Sequence, residues 1–258
     1  MRRSRLFASL VLVLLVAGCG SAQPPGAQPP APLPVPRPVP TPESAVGALF
    51  PGPAGDLGGH FCSGSVVDSP AGDLVLTAAH CVTAGDGSPV VTGLSFVPGY
   101  HDGQEPYGVW TVRSVAVDPR FVADADPDFD VAFLTVEGAR PVQDVTGGFP
   151  VTFDPGAGDH VSAYGYPSED DAPTSRSGVT EQYSPTQLEL PAPGLEDGTS
   201  GGPWVRSDGT VVGLTGGFEQ GGYDYDTSYS TYLGPGFAIL RDQALHTPDA
   251  PAARASAG

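Results

Sequence analysis

Short strand-like runs, broken by turns, follow one another along the chain from Ser44 onward. The turns draw on 36 Gly and 30 Pro in 258 residues, whereas charged residues make up only 16%. Gly and Pro interrupt helices and form tight turns, so this composition disfavours a helical bundle. Many short strands joined by turns predict an all-β domain of the sandwich or barrel type.

Seven runs carry the strand prediction, and one run near the end of the chain favours a helix. The helix candidate is GFAILRDQAL at 236–245. The strand candidates are FCSGSVV (61–67), DLVLTAAHCV (73–82), GVWTVRSVAV (108–117), DVAFLTV (130–136), HVSAYGY (160–166), TVVGLTG (210–216) and STYLG (230–234).

The N-terminus has the features of a secretory signal. Basic residues precede an apolar run, Leu6–Val16, that is too short for a comfortable membrane span, and small residues follow it. VAGC at 16–19 resembles the cleavage box of bacterial lipoproteins, which implies removal of residues 1–18 and lipidation of Cys19. We therefore expect an extracytoplasmic protein, lipid-anchored to the bacterial cell membrane or secreted. An ordinary secretory signal with an incidental cysteine stays open.

Residues 19–45 are interpreted as a linker, because residues 20–42 are rich in Pro. Proline fixes φ and removes N–H donors, which favours an extended spacer. The chain has no Lys and a net charge of −18. Such a surface repels nucleic acid, so no nucleic-acid partner is expected. We expect a monomer.

Two further cysteines, Cys62 and Cys81, favour a disulfide in a secreted chain. Neither another cysteine pair nor a His-rich cluster accompanies them, so we expect no metal site and no cofactor.

The glycine-rich stretch EDGTSGGPW at 196–204 holds one serine, Ser200. A serine on such a turn can expose its hydroxyl beside backbone N–H groups, as an acyl-transfer nucleophile requires, although a purely structural turn has the same composition. His80 is the candidate general base, because it follows the apolar run LVLTAA and precedes Cys81.

The motifs together resemble the chymotrypsin-like (trypsin-like) serine peptidases, in their bacterial secreted branch. LTAAHC at 76–81 is similar to the family's histidine motif, and HFCSGSVV at 60–67 to the strand before it. DVAFLTV at 130–136 is similar to the aspartate motif, and GTSGGP at 198–203 to the nucleophile loop. The order His, Asp, Ser is also that of the family.

This resemblance implies two six-stranded antiparallel β-barrels, at 46–145 and 146–246. A short C-terminal helix would end the second barrel, and a disordered tail at 247–258 would follow it. The expected activity is that of a serine endopeptidase acting on protein or peptide substrates through an acyl-enzyme intermediate.

The resemblance also assigns roles to individual residues. Ser200 would attack the scissile carbonyl, His80 would transfer the proton, and Asp130 would orient the imidazole. The backbone N–H groups of Gly198 and Ser200 would form the oxyanion hole. Asp130 is preferred because it heads an apolar strand. Its rivals in DADPDFD are interpreted as an acidic turn, since a calcium loop would need a glycine and a final glutamate; they are Asp124, Asp126 and Asp128.

Two positions depart from the family pattern. Thr199 replaces an aspartate that pairs with a new N-terminal amine in animal digestive peptidases, so we predict a nucleophile loop held by its own hydrogen bonds and no activation cleavage. Gly216 stands where a serine usually binds the catalytic aspartate, and Thr215 is a candidate substitute.

The specificity pocket is predicted from the same resemblance. Its base falls near Gly194 and Leu195, and its walls near 230–232 and at Gly216, Gly217 and Phe218. Because no acid lies at the base, we expect a preference for small or apolar residues. A glutamate-specific pocket using His160 or His246 stays open.

A second function class is a catalytically weak or inactive peptidase homologue that binds peptides or envelope proteins as a lipoprotein. The acidic, aromatic stretch at 218–232 would suit such binding.

Overall fold

The computed structural model describes residues 36–246, which contain thirteen β-strands and four α-helices. The predicted signal at 1–18, Cys19 and the first part of the Pro-rich linker lie outside the described residues, as does the predicted tail at 247–258. No helix within 36–246 is long and apolar enough to cross a membrane.

The N-terminal half is a closed, antiparallel, six-stranded barrel in the order β1-β2-β3-β6-β5-β4. Pairing of β1 with β4 closes the barrel and leaves no free edge. Every residue of β1 and β2 is buried, because both faces of these strands are covered. The strands are β1 (Val46–Phe50), β2 (Cys62–Val66), β3 (Leu74–Thr77), β4 (Ser95–Pro98), β5 (Trp110–Val117) and β6 (Ala132–Glu137).

The C-terminal half contains seven strands in two antiparallel sheets, ordered β12-β11-β7-β8 and β13-β10-β9. The two sheets meet through the bond from Gly216 N–H to Tyr229 O (3.0 Å), around a core centred on the fully buried Trp204. The strands are β7 (His160–Gly165), β8 (Thr174–Val179), β9 (Glu181–Ser184), β10 (Gln187–Leu190), β11 (Pro203–Arg206), β12 (Val211–Leu214) and β13 (Ser228–Thr231).

Four helices complete the described part of the chain: α1 (Pro42–Ala45), α2 (Pro119–Asp124), α3 (Gln143–Thr146) and α4 (Pro235–His246). The last helix packs against β5 and β6 of the barrel. It buries Phe237, Leu240 and Ala244, whose spacing places them on one helical face.

The predicted all-β, chymotrypsin-like fold with a short C-terminal helix is confirmed. Each of the seven predicted runs overlaps a strand, although the strand in the run at 73–82 ends at Thr77 because Ala79–Cys81 forms a 3₁₀ turn. The second barrel differs in detail, with seven strands in two sheets. β12 and β13 lie in different sheets, and the chain leaves strand geometry at Gly217 (φ +79°), shortly after β12 ends.

The end of the predicted linker belongs to the folded unit. The Arg37 guanidinium donates to Asp144 Oδ1 at 2.9 Å and to the Ser69 carbonyl at 2.8 Å. These bonds fix the chain against the barrel several residues before β1 begins.

Candidate active site

His80 lies on a short turn that a disulfide cross-links to the neighbouring strand. After β3 ends at Thr77, the 3₁₀ turn Ala79–Cys81 carries the imidazole away from the sheet. Cys81 forms a disulfide with Cys62 of β2, as the sequence predicted. The backbone beside His80 is therefore held from two sides.

Asp130 binds both the ring and the backbone of His80. Its Oδ2 accepts a bond of 2.7 Å from Nδ1–H of the imidazole, and its Oδ1 accepts one of 2.8 Å from the His80 backbone N–H. Asp130 is fully buried, whereas the His80 side chain keeps 11% exposure. With Nδ1 carrying the proton, Nε2 of a neutral imidazole holds the free lone pair and can accept a proton.

A third donor to Asp130 comes from the backbone of the second half. Gly217 N–H donates to Oδ2 at 2.8 Å. The predicted substitute, Thr215, does not take this role: its Oγ1 accepts from Trp204 Nε1 at 3.2 Å and makes no hydrogen bond to Asp130. A backbone amide one residue after Gly216 thus supplies the hydrogen bond that a serine hydroxyl was expected to provide.

None of the three rival aspartates binds His80, and two of them have other contacts. Asp126 caps the 3₁₀ helix Pro127–Phe129, and Asp128 Oδ1 accepts from Gln187 Nε2 at 3.0 Å. Asp124 ends α2. Of these four acids, Asp130 is the one that contacts His80.

Ser200 lies against the disulfide that flanks His80. Its carbonyl accepts a bond of 2.7 Å from Ser63 N–H of β2 and lies 3.7 Å from Cys81 Sγ. Residues from both halves of the molecule therefore meet at this point. Ser200 is partly exposed, and among the described residues its hydroxyl has no hydrogen-bond partner.

The loop before Ser200 makes a turn that only glycine fits. Thr199 N–H donates to Glu196 O at 3.0 Å, and Gly198 is the third residue of this turn with φ +93°, as in a type II turn. A Cβ on Gly198 would lie 2.5 Å from Ser168 N. Thr199 Oγ1 also donates to Glu196 O, at 2.7 Å, so the predicted internal hydrogen bonds are present.

The predicted oxyanion donors have no competing acceptor. Within residues 36–246, the backbone N–H groups of Gly198 and Ser200 donate to no protein atom. Two free amides two residues apart, one of them on the nucleophilic serine itself, can bind a developing oxyanion.

The segment 166–168 supports this loop from behind. Ser168 N–H donates to Asp197 O at 2.8 Å, and His60 Nε2–H donates to Pro167 O at 2.9 Å. Burial raises the pKa of Tyr166, so its hydroxyl stays protonated and donates to Val46 O at 3.4 Å.

A cleft of about 610 Å³ opens beside Ser200, and its walls differ from the prediction. Leu195 lines it as expected, whereas Gly194 binds Tyr225 O through its N–H (3.0 Å) without lining it. The predicted wall residues Gly216, Gly217 and Phe218, and the segment 230–232, lie outside the lining. Gly217 and Phe218 turn their amides towards Asp130 and Gln187 instead. The wall is formed by residues 220–225.

The cleft is acidic. Four of its lining residues are acids and none is Arg, Lys or His; the acids are Glu169, Glu196, Asp197 and Asp224. The two histidines considered for a glutamate pocket lie elsewhere. His160 lines a separate cavity beside Pro40–Pro42, and His246 ends α4.

One cluster of metal-ligating atoms is found among the described residues, at Cys62, His80 and Cys81. Its two sulfurs are bonded to each other, so neither is a thiolate that could bind a metal.

Comparisons with known proteins agree with this geometry. A family model described as a trypsin-like peptidase domain matches residues 62–214. The protease Anisep from Arthrobacter nicotinovorans is 25% identical, with a TM-score of 0.69 over 82% of this chain and 99% of its own. A thermostable serine protease, AL20, from an extremophilic microorganism is 26% identical, with a TM-score of 0.70 over 80% and 99%.

A human heparin binding protein has the same fold, with 16% identity and a TM-score of 0.61 over 84% of this chain and 99% of its own. At this identity the likeness concerns the fold alone. No curated protein matches the sequence.

Proposed function

The chain belongs to the trypsin-like peptidase family, and from this premise we propose that it is a serine endopeptidase with Ser200, His80 and Asp130 as its catalytic triad. The observation that carries the proposal is the double contact of Asp130 with His80, made beside the segment that holds Ser200. A fully buried carboxylate bound to an imidazole, beside the backbone of a partly exposed serine, supplies the three groups that nucleophilic acyl transfer uses.

Acylation begins with attack of Ser200 Oγ on the substrate carbonyl carbon. His80 Nε2 takes the hydroxyl proton as the C–O bond forms, and Asp130 stabilises the resulting imidazolium through the 2.7 Å bond to Nδ1. The same proton then passes to the leaving amine as the C–N bond breaks. In deacylation, water attacks the acyl carbon and Nε2 accepts its proton; this proton then passes to Ser200 Oγ as the acyl C–Oγ bond breaks and the acid product leaves.

Charge develops on the carbonyl oxygen during both steps. The amides of Gly198 and Ser200 would donate to it, and the loop holds them in place before substrate arrives. Loss of one such donor typically costs about 3 kcal/mol of barrier. This preorganisation supports catalysis without an activation cleavage.

Our proposal for the cellular location rests on the N-terminal sequence alone. We propose extracytoplasmic action on protein or peptide substrates, by a chain that is lipid-anchored through Cys19 or secreted. Replacement of Cys19 by Ser in the full chain should move the protein from the membrane fraction to the soluble fraction. Equal distribution of the two forms would contradict lipid anchoring.

A second candidate, a peptide-binding homologue with little activity, is favoured by two exposed aromatic side chains. Tyr223 and Tyr225 in the cleft wall are 79% and 63% exposed. Aromatic residues of this kind contribute strongly to protein interfaces.

One experiment separates the two functions. The full chain is treated with a fluorophosphonate at neutral pH, alongside Ser200→Ala and the control Ser207→Ala, which changes an exposed serine outside the cleft. A peptidase should be labelled in the unmutated and control forms but not in Ser200→Ala, and should hydrolyse peptides in the same pattern. Folded protein without labelling would favour the binding homologue.

A further inference from the structure

One fully buried serine of the first barrel holds the nucleophile loop of the second half at two points. Ser63 lies in β2 and has no exposed surface. Its backbone N–H donates to the Ser200 carbonyl at 2.7 Å, and its hydroxyl donates to the Gly198 carbonyl at 2.8 Å. The carbonyls that Ser63 binds therefore belong to the two residues whose amides would form the oxyanion hole.

The Ser63 hydroxyl is also an acceptor. Tyr166 N–H donates to it at 2.8 Å. Two residues later, Ser168 N–H donates to Asp197 O at 2.8 Å. The same hydroxyl thus joins the Gly198 peptide to the segment 166–168, which in turn binds the preceding peptide.

Peptide geometry explains why this matters for the amides. In a trans peptide the C=O and N–H point in opposite directions. Binding of Asp197 O by Ser168 therefore makes the Gly198 N–H, which belongs to the same peptide, point in the opposite direction within the peptide plane. Binding of Gly198 O by Ser63 fixes the next plane, which leads into Thr199 and Ser200.

The Thr199 hydroxyl does not replace the Ser63 hydroxyl. Thr199 Oγ1 donates to Glu196 O within the loop itself and makes no bond to the first barrel. Without the Ser63 hydroxyl, Gly198 O and Tyr166 N–H would lose this partner in a buried setting. An unpaired buried polar group is destabilising, so the loop would gain from rearranging.

We propose that Ser63 is a positioning residue for the oxyanion hole, whose hydroxyl fixes the Gly198 and Ser200 amides from the neighbouring barrel. The proposal rests on the peptidase function proposed above. Ser63 touches no substrate; it acts by holding the carbonyl side of the loop. In this way a chain with Thr199 in place of the aspartate has a loop ready for catalysis without a new N-terminal amine.

The chain offers a matched control in the same strand. Ser65 is also a fully buried serine of β2, and its hydroxyl has no hydrogen-bond partner among the described residues. Ser63→Ala and Ser65→Ala therefore remove the same group from equal burial, but only the first removes hydrogen bonds to the loop.

The test measures kcat and KM for peptide hydrolysis by the full chain, well below the Tm of each variant. Ser63→Ala should lower kcat about 10- to 100-fold, a somewhat smaller loss than that caused by removal of an oxyanion donor. KM should change by less than about threefold. The affinity for a peptide aldehyde, which forms an oxyanion on binding, should fall by the same factor as kcat/KM. Ser65→Ala should stay within about twofold of the unmutated chain.

A second pair covers the case in which Ser63→Ala does not fold. The Thr and Val side chains have the same shape, but Thr carries a hydroxyl where Val carries a methyl. The kcat of Ser63→Thr should therefore be at least about tenfold higher than that of Ser63→Val. Equal kcat in this pair, or unchanged kcat in Ser63→Ala, would overturn the inference alone. Absence of hydrolysis by the unmutated chain would overturn the proposed function and the inference with it.

Discussion

Gly217 N–H donates a bond of 2.8 Å to Oδ2 of Asp130, the same oxygen that accepts the imidazole Nδ1–H of His80. The buried carboxylate therefore has three donors, two of them backbone amides. Burial of a charge is costly unless hydrogen bonds replace its hydration, and these donors provide that replacement. The absence of a serine at position 216 leaves no donor missing.

Substitutions of Gly216 test whether the backbone donor is sufficient. A Cβ at this position would lie 3.1 Å from Asp130 Oδ2 and 3.3 Å from Ala78 Cβ. Gly216→Ala adds a methyl that crowds the carboxylate and cannot donate, so kcat should fall about tenfold, equivalent to about 1.4 kcal/mol. Gly216→Ser should lose less, because its hydroxyl can donate to Oδ2. An Ala variant as active as the unmutated chain would show that this contact does not limit catalysis.

Replacement of Asp130 by Asn tests the assignment of the acid. The Asn side chain has one oxygen that accepts hydrogen bonds and an NH₂ group that only donates them. An NH₂ group facing Nδ1 favours the imidazole tautomer with the proton on Nε2. We expect kcat to fall about 10⁴-fold, as when a triad aspartate is lost in this way.

Asp128→Asn is the matched control for this prediction, because an Asn oxygen can still accept from Gln187 Nε2. Its kcat should stay within about threefold of the unmutated chain. Steady-state kinetics on both variants, with Tm measured in parallel, decides the matter. A larger loss in Asp128→Asn than in Asp130→Asn would contradict the assignment.

Gly198→Ala should remove activity through both backbone strain and overlap. A positive φ costs an L residue about 1–2 kcal/mol, and the new Cβ would lie 2.5 Å from Ser168 N. Relief of this overlap must displace the Gly198 amide, so kcat should fall at least about 100-fold.

The control for Gly198→Ala is Gly209→Ala, which has a similar φ of +83° but no atom within 4 Å of the new Cβ. It carries the same strain without the overlap. It should lower Tm by a few degrees and leave kcat unchanged. Equal kinetic effects of the two substitutions would show that strain alone, rather than displacement of the amide, is responsible.

The site residues that the sequence identified lie in short local motifs. His80 and Cys81 are adjacent, and Ser200 lies within a glycine-rich loop whose φ values need Gly198. The all-β class followed from Gly, Pro and short apolar runs. Strands such as β8 and β9 escaped notice because their residues are mostly polar and partly exposed, so they lack the apolar alternation on which the prediction depended.

Two features of the site had no local signal. The donor from Gly217 is a backbone N–H, which any residue except proline carries, so its partner depends on tertiary structure alone. The cleft wall depends on Glu219 and Gln220, which adopt positive φ of 50° and 57° and turn the chain towards the cleft. Such conformations are uncommon outside glycine and are set by the surrounding fold.

The charge of the cleft leads to a prediction about substrate choice that differs from the small or apolar preference expected from the sequence. Four acids and two exposed tyrosines line it, without a basic residue. Carboxylates attract cationic side chains, and aromatic faces add cation–π contacts. We expect kcat/KM for peptides with Arg or Lys in the cleft to exceed that for Glu by at least about tenfold, since several carboxylates each contribute up to ~1 kcal/mol.

Salt and charge removal separate electrostatics from shape in this preference. The ratio of kcat/KM for Arg peptides to kcat/KM for Glu peptides should decrease as the salt concentration rises from about 0.05 to about 0.5 M, because the Debye length then shortens about threefold. The triple variant Glu196→Gln/Asp197→Asn/Asp224→Asn should reduce the ratio further, whereas Glu181→Gln, on exposed β9 and outside the cleft, should not. Library cleavage profiles at both salt concentrations provide the measurement. A preference for Glu, or a ratio insensitive to salt and to the triple variant, would mean that these carboxylates do not meet the substrate side chain.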